Sequence, residues 1–116
     1  MISMFAIPNC DTVKKARTFL EANNVDYQFI DFKKTPPTKE QIKNWSVYAE
    51  ELPINKKGMT YRKNKDIYEA LTMAQQIDFI IAHPSLIKRP VLMCNNQTVA
   101  LGFNEVHYKE IITNPK

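Results

Sequence analysis

A chain of 116 residues, 44% hydrophobic and 24% charged, has the composition of one ordinary globular domain, which excludes a collagen, a coiled coil, a disordered tail and a disulfide scaffold. Sixteen basic against twelve acidic residues give a net charge of +4, well short of a nucleic-acid-binding tail. Apolar runs stay far below the ~20 residues that cross a bilayer, and the opening segment lacks the basic stretch of a secretory signal, so the expectation is a cytoplasmic protein with no membrane and no nucleic-acid partner.

Residues 2–7 are short, apolar and β-prone, and Pro8 stops them. From Thr12 the period becomes helical, with Val13, Ala16 and Leu20 on one face and Phe19 beside them, until Asn23 and Asn24 end it. Tyr27, Phe29, Ile30 and Phe32 then outline a second strand. Strand, helix and strand within about thirty residues make a βαβ unit with parallel pairing.

Thr35-Pro-Pro-Thr38 interrupts the pattern, and Thr38 followed three residues later by Gln41 predicts a capping box for a helix carrying Ile42, Trp45 and Tyr48. The chain turns around residues 52–58. Residues 66–82 read as mostly helical, with Ile67, Leu71, Ala74, Ile77 and Ile81 spaced for one face, and His83-Pro84 ends that block. Residues 91–94 and 98–101 then alternate as strands around a polar turn at 95–97, which predicts an antiparallel hairpin. Asn104 is placed to cap a last helix with Tyr108, Ile111 and Ile112.

The order is βαβ, a helical middle at about 38–84, then ββα. The outer segments can share one mixed four-stranded sheet, which is the arrangement of a thioredoxin-like fold with an inserted helical subdomain; periodicity alone reaches α/β, in one domain spanning 1–116.

The informative residue is Cys10, at the junction of the first strand and first helix. A thiol there faces unpaired backbone N–H groups and the positive end of the helix dipole, which favour a thiolate, the nucleophilic form. Lys14, Lys15 and Arg17 add positive charge nearby, and Asp11 opposes it. A small residue packing beneath the helix is the alternative, but the loop after a β-strand is where α/β sheets present reactive groups. Val13 stands where a Cys-x-x-Cys motif has its second thiol, so a disulfide formed on Cys10 is resolved from outside that motif, by a small thiol or by a distant cysteine. Cys94 is the one internal candidate, and it reads as a buried strand residue. Both thiols suit a reducing compartment.

The run from Ile7 to Arg17, Ile-Pro-Asn-Cys-Asp-Thr-Val-Lys-Lys-Ala-Arg, resembles the active-site turn of the ArsC/Spx family of arsenate-reductase-like proteins, nearest its YffB-type branch. The likeness continues through Asn55-Lys-Lys-Gly-Met-Thr-Tyr-Arg62, Ile87-Lys-Arg-Pro-Val91 and Leu101-Gly-Phe103, and so spans nearly the whole chain. The resemblance implies a thioredoxin-like core and redox chemistry at Cys10, with glutathione as co-substrate, glutaredoxin as a further partner, and no bound cofactor or metal. It makes Arg89 the holder of an oxyanion or substrate carboxylate and Pro90 a cis-proline, with Asn9, Asp11 and Thr12 around the nucleophile. Two further arginines of the arsenate reductases fall on Asn55 and Gly102, which lack a planar fork for an oxyanion. Lys57 and Arg62 would supply charge in their place. A glutathione-dependent thiol–disulfide reaction asks less of such a site than arsenate reduction.

The resemblance also implies an alternative, a regulatory protein of the Spx type that binds RNA polymerase without catalysis. The acid-free run of Lys56, Lys57, Arg62, Lys63 and Lys65 would then dock on an acidic surface. His83 and His107 read as structural or exposed, Trp45 and Tyr48 as helix core, and Glu40, Glu50 and Glu51 as a solvated face.

Overall fold

The sheet takes its layout from β1 (Ile2–Ala6), which pairs in parallel with β2 (Tyr27–Asp31) and antiparallel with β3 (Val91–Cys94). The latter pairs antiparallel with β4 (Gln97–Leu101), giving the order β2-β1-β3-β4. These contacts come from a computed structural model, which describes residues 1–113. A central strand is covered on both sides, and β1 is apolar on both but for Ser3. Ile2, Met4 and Ala6 alternate onto one face against Val13, Ala16 and Leu20 of α1 (Asp11–Ala22) and Tyr108 of α5 (Glu105–Thr113). Phe5 and Ile7 point to the other face, against Ile42 and Trp45 of α2 (Lys39–Ala49). The βαβ and ββα halves share one mixed four-stranded sheet. Between β2 and β3 stand α2, α3 (Met59–Glu69), α4 (Met73–Ala82) and a short 3-10 turn, Pro84–Leu86.

The local signals behind several elements act as the residues suggest. Thr38 and Gln41 form the reciprocal capping box at the start of α2. The Asn104 side chain accepts the His107 backbone N–H at the head of α5. The hairpin turn is shorter than the polar run around it. Asn95 and Asn96 alone take positive φ, 53° and 65°, the two-residue turn that matches strand twist, and β4 begins at Gln97.

The helical middle departs from the even period over residues 66–82. A helix already begins at Met59, and the chain breaks between Glu69 and Met73. There Thr72 and Gln75 form a second capping box. Two separate helices bury Tyr61, Tyr68, Ile77 and Ile80, while Ile67 stays exposed. Tyr48 is likewise exposed and uses its hydroxyl, bonded to His107 Nε2 at 3.2 Å.

Tyr68 is 5% exposed and its hydroxyl has no hydrogen-bond partner among the described residues. Burial, with a smaller contribution from Tyr61, pushes its phenol from 10.0 up to about 12, and burial moves Tyr108 in the same direction. The folded chain therefore keeps protons that the unfolded chain releases. That stabilisation is complete below the unfolded value near 10 and is lost as the pH climbs from there towards the folded value. The urea midpoint should be flat to about pH 9 and fall by about pH 11. Tyr68→Phe should reduce that fall without lowering stability at neutral pH, because it removes an unsatisfied buried hydroxyl.

Candidate active site

Three segments converge beyond the carboxyl ends of the parallel strands β1 and β2, where α/β sheets place their reactive groups. The first is the turn into α1. Ile7 is buried, Pro8 and Asn9 are exposed, and Cys10 is the N-cap residue, extended at φ −146° and ψ 128°. Its carbonyl accepts the Lys14 N–H at 2.9 Å, and its half-buried side chain makes no capping hydrogen bond. The sulfur is thus left at the positive end of α1. Of the α1 cations, Arg17 is turned away. Its Nε donates to the Tyr27 hydroxyl at 2.9 Å and its guanidinium lies 4.2 Å from the Phe29 ring centroid.

The second segment follows β2. Phe32 is fully buried and its N–H reaches the Ala6 carbonyl. Asp31 collects the N–H groups of Lys33, Lys34 and Thr35 in a local turn, and Lys33 faces the Cys10 turn. The third segment links α4 to β3. Leu86 and Ile87 are fully buried. The Leu86 carbonyl accepts from Asn55 and the Lys88 N–H donates to Pro53, so this loop is stitched to residues 53–55. Arg89 emerges from it half-buried, with Nη1 donating to the Ser85 carbonyl at 2.9 Å, and the Arg89–Pro90 peptide is cis.

Together these segments enclose a cleft of about 360 Å³ whose lining includes Asn9, Cys10, Lys33, His83, Ser85 and Arg89. It carries two cationic residues, Lys33 and Arg89, and no carboxylate among its lining residues. A nucleophile beside such a pair suits an anionic substrate. Two larger hollows lie elsewhere. One of about 680 Å³ opens at the far end of the sheet beside Cys94, and one of about 710 Å³ lies beside α3 and Tyr68.

The site residues expected from the sequence divide between the cleft and its surroundings. Asn9, Cys10 and Arg89 line it, and Pro90 is buried next to Arg89. Asp11 and Thr12 are exposed in the first turn of α1, outside the lining. Asn55, Lys57 and Arg62 do not line it either. The Asn55 side-chain oxygen accepts the Lys57 N–H at 3.2 Å and its carbonyl accepts that of Gly58 at 3.1 Å, a turn that leads into α3 and leaves Lys57 and Arg62 exposed there. Gly102, at φ 80°, gives its N–H to the Pro90 carbonyl at 2.8 Å, a backbone role in a conformation that disfavours an arginine.

Lys33, His83 and Ser85 enter the cleft without a local signal in the sequence. His83 is more than a helix end, since it lines the same cleft as Cys10. His107 holds structure instead. Its Nε2 meets the Val99 carbonyl at 2.8 Å and the Tyr48 hydroxyl.

Cys94 lies opposite Ile2, at the start of β1, whereas Cys10 follows the end of that strand. Five residues of strand at ~3.3 Å each separate the two ends by well over the ~7 Å that a disulfide can span between Cα atoms. Cys94→Ser should therefore leave the rate and extent of glutathione addition to Cys10 unchanged, as read by intact mass. A rise in the adduct that accumulates would show Cys94 resolving it in the wild type.

Among the described residues no helix is long and apolar enough to cross a membrane, and no group of three or more His, Cys, Asp or Glu side chains stands ready to hold a metal ion. Residues 5–111 match the model of the ArsC family. The fold superimposes on a solved YffB protein with a TM-score of 0.83 at 34% identity, covering 95% of this chain and 97% of that one. An arsenate reductase (ArsC) related protein from Brucella melitensis gives a TM-score of 0.70 at 31% identity, with 97% and 95% covered. The global transcriptional regulator Spx of Streptococcus pyogenes serotype M3 is 29% identical over 108 residues, 90% of this chain and 80% of the regulator.

Proposed function

This chain belongs to the ArsC family, and from that premise we propose that it is a glutathione-dependent thiol–disulfide oxidoreductase with Cys10 as its one nucleophile. The observation that carries the reading is a half-buried thiol at a helix N-cap, sharing a small cleft with Arg89 and Lys33 and with no carboxylate in its lining. In the first half-reaction the Cys10 thiolate attacks the glutathione sulfur of a mixed disulfide. The old S–S bond breaks, the partner thiol leaves with the electron pair, and a Cys10–glutathione disulfide forms. In the second, a glutathione thiolate attacks that disulfide, releasing oxidised glutathione and restoring Cys10. Net, one glutathione and one mixed disulfide become one free thiol and one oxidised glutathione.

Arg89 and Lys33 would hold the carboxylates of glutathione, Arg89 with its fork steadied on Ser85. Arsenate is the lesser substrate, because Asn55 and Gly102 supply neither fork nor charge to the cleft. Glutaredoxin fits as a downstream reductant and the cytoplasm as the compartment, with no bound cofactor. Exposure of the chain to oxidised glutathione, read by intact mass, tests the reading. One glutathione should add per chain and reduced glutathione should remove it.

The likeness to Spx regulators, with the exposed cations of residues 56–65, supports a second reading, binding of RNA polymerase without catalysis. Polymerase retained equally by wild type and Cys10→Ser, with no adduct on Cys10, would put this reading in place of the enzyme.

A further inference from the structure

We infer that His83 is the acid–base residue of both half-reactions: its ring protonates the departing thiolate in the first and takes the proton of the incoming glutathione in the second. The inference rests on the thiol–disulfide reading above and adds to it the route of the proton.

Placement carries the argument. His83 shares the cleft with Cys10 and Arg89, and about 360 Å³ is the volume of roughly a dozen waters at ~30 Å³ each, so a sulfur held there stays within a few water diameters of the imidazole. The residue is pinned on both sides. Its N–H donates to the Phe79 and Ile80 carbonyls, its carbonyl accepts the Leu86 N–H at 2.9 Å, and its ring packs against Phe79 at 4.4 Å between centroids. Yet the ring is exposed, and among the described residues its nitrogens have no hydrogen-bond partner. A positioned imidazole with unengaged nitrogens is an available proton carrier, and imidazole is the side chain that exchanges a proton near neutral pH. The ionisable groups facing it are Cys10, Lys33 and Arg89. On its own helix, Asp78 is paired with Lys39 at 3.4 Å.

The chemistry needs such a group twice. A departing alkyl thiolate is basic and slows exchange unless it is protonated as it leaves, while the incoming glutathione is mostly thiol at neutral pH and attacks only as thiolate. Imidazolium gives its proton to the first sulfur, and the resulting imidazole takes one from the second. The ring ends each cycle as it began, so no outside proton enters the balance.

The test uses the full chain, as wild type, His83→Asn and His83→Gln, with glutathione mixed disulfides of alkyl thiols of graded basicity. Adduct formation on Cys10 and its discharge by reduced glutathione are timed separately, between about pH 5.5 and about pH 8.5. Both variants should slow both steps about 10²-fold near neutrality, the low end for acid–base catalysis. They should also lose the pH inflection expected of wild type, depend more steeply on leaving-thiol basicity, and regain rate with added imidazole. Alkylation of Cys10 by iodoacetamide should be unchanged. Variants that keep the wild-type inflection and leaving-group slope overturn the inference, and a slower rate with both unchanged overturns it too, as a packing effect. A wild-type Cys10 that takes no glutathione overturns the oxidoreductase reading, and the role of His83 with it.

Discussion

Cys10→Ser should reduce glutathione-dependent turnover to the uncatalysed background while leaving the fold at least as stable as before. The chemical half follows from the cleft. Cys10 is the one thiol among its lining residues, and a serine hydroxyl is far too weakly acidic to act as a nucleophile towards sulfur without a strong base beside it. The structural half makes the experiment clean. Cys10 is the N-cap of α1 and its side chain makes no capping hydrogen bond. Serine is a favoured N-cap that accepts a first-turn N–H, so the substitution should leave stability unchanged or raise it by up to about 1 kcal/mol. Turnover assayed beside a urea melt separates the two effects. Full turnover in the variant would remove Cys10 from the mechanism. Lost turnover with a raised or unchanged midpoint would place the loss in chemistry rather than folding.

The position of Cys10 was legible because it is local. A strand stopped by Pro8 and a helix opening at residue 11 put the intervening thiol at an N-cap with no need of tertiary information. The same holds for the buried face of α1 and for the capping box of Thr38 and Gln41. Where sequence reading stopped short, two signals of similar weight competed. Ile67, Leu71 and Ala74 continue an apolar period straight through the Thr72–Gln75 capping box, yet the chain breaks there, and the box satisfies two backbone N–H groups that the break leaves without helical partners. Lys57 and Arg62 belong to the most basic run in the chain, which gave them an apparent claim on an anionic site. The Asn55 turn leaves Lys57 exposed ahead of α3 and Arg62 exposed on it instead, and only the three-dimensional path shows it. Lys33 and His83 have no local mark at all. They meet Cys10 because Phe32 anchors one segment and Leu86 with Ile87 anchors the other, and contacts of that range lie outside any periodicity.

The cleft sits on a seam, which gives Trp45→Ala an effect on both stability and reaction. Cys10 packs with the cluster beneath α1 and α5, whereas Leu86, Ile87 and Ile80, which hold the His83–Arg89 wall, belong to the cluster on the other face of the sheet. Trp45 is the largest side chain of that second cluster. It is fully buried, tilted against Phe5 at 5.4 Å and Phe32 at 5.7 Å, with its indole N–H directed at the Met93 sulfur at 3.3 Å. Removing it should cost about 3–5 kcal/mol, a large share of the ~5–15 kcal/mol that holds a domain of this size together. Trp45→Phe keeps an aromatic against Phe5 and Phe32 and should cost less. Assayed well below its melting midpoint, Trp45→Ala should lose glutathione-dependent turnover more steeply than it loses iodoacetamide alkylation of Cys10. Turnover needs the wall that Trp45 supports, and simple alkylation needs only the thiol on the opposite cluster. Equal losses in the two rates would show that the two cores move as one body and that Arg89 and His83 contribute nothing to turnover through their placement.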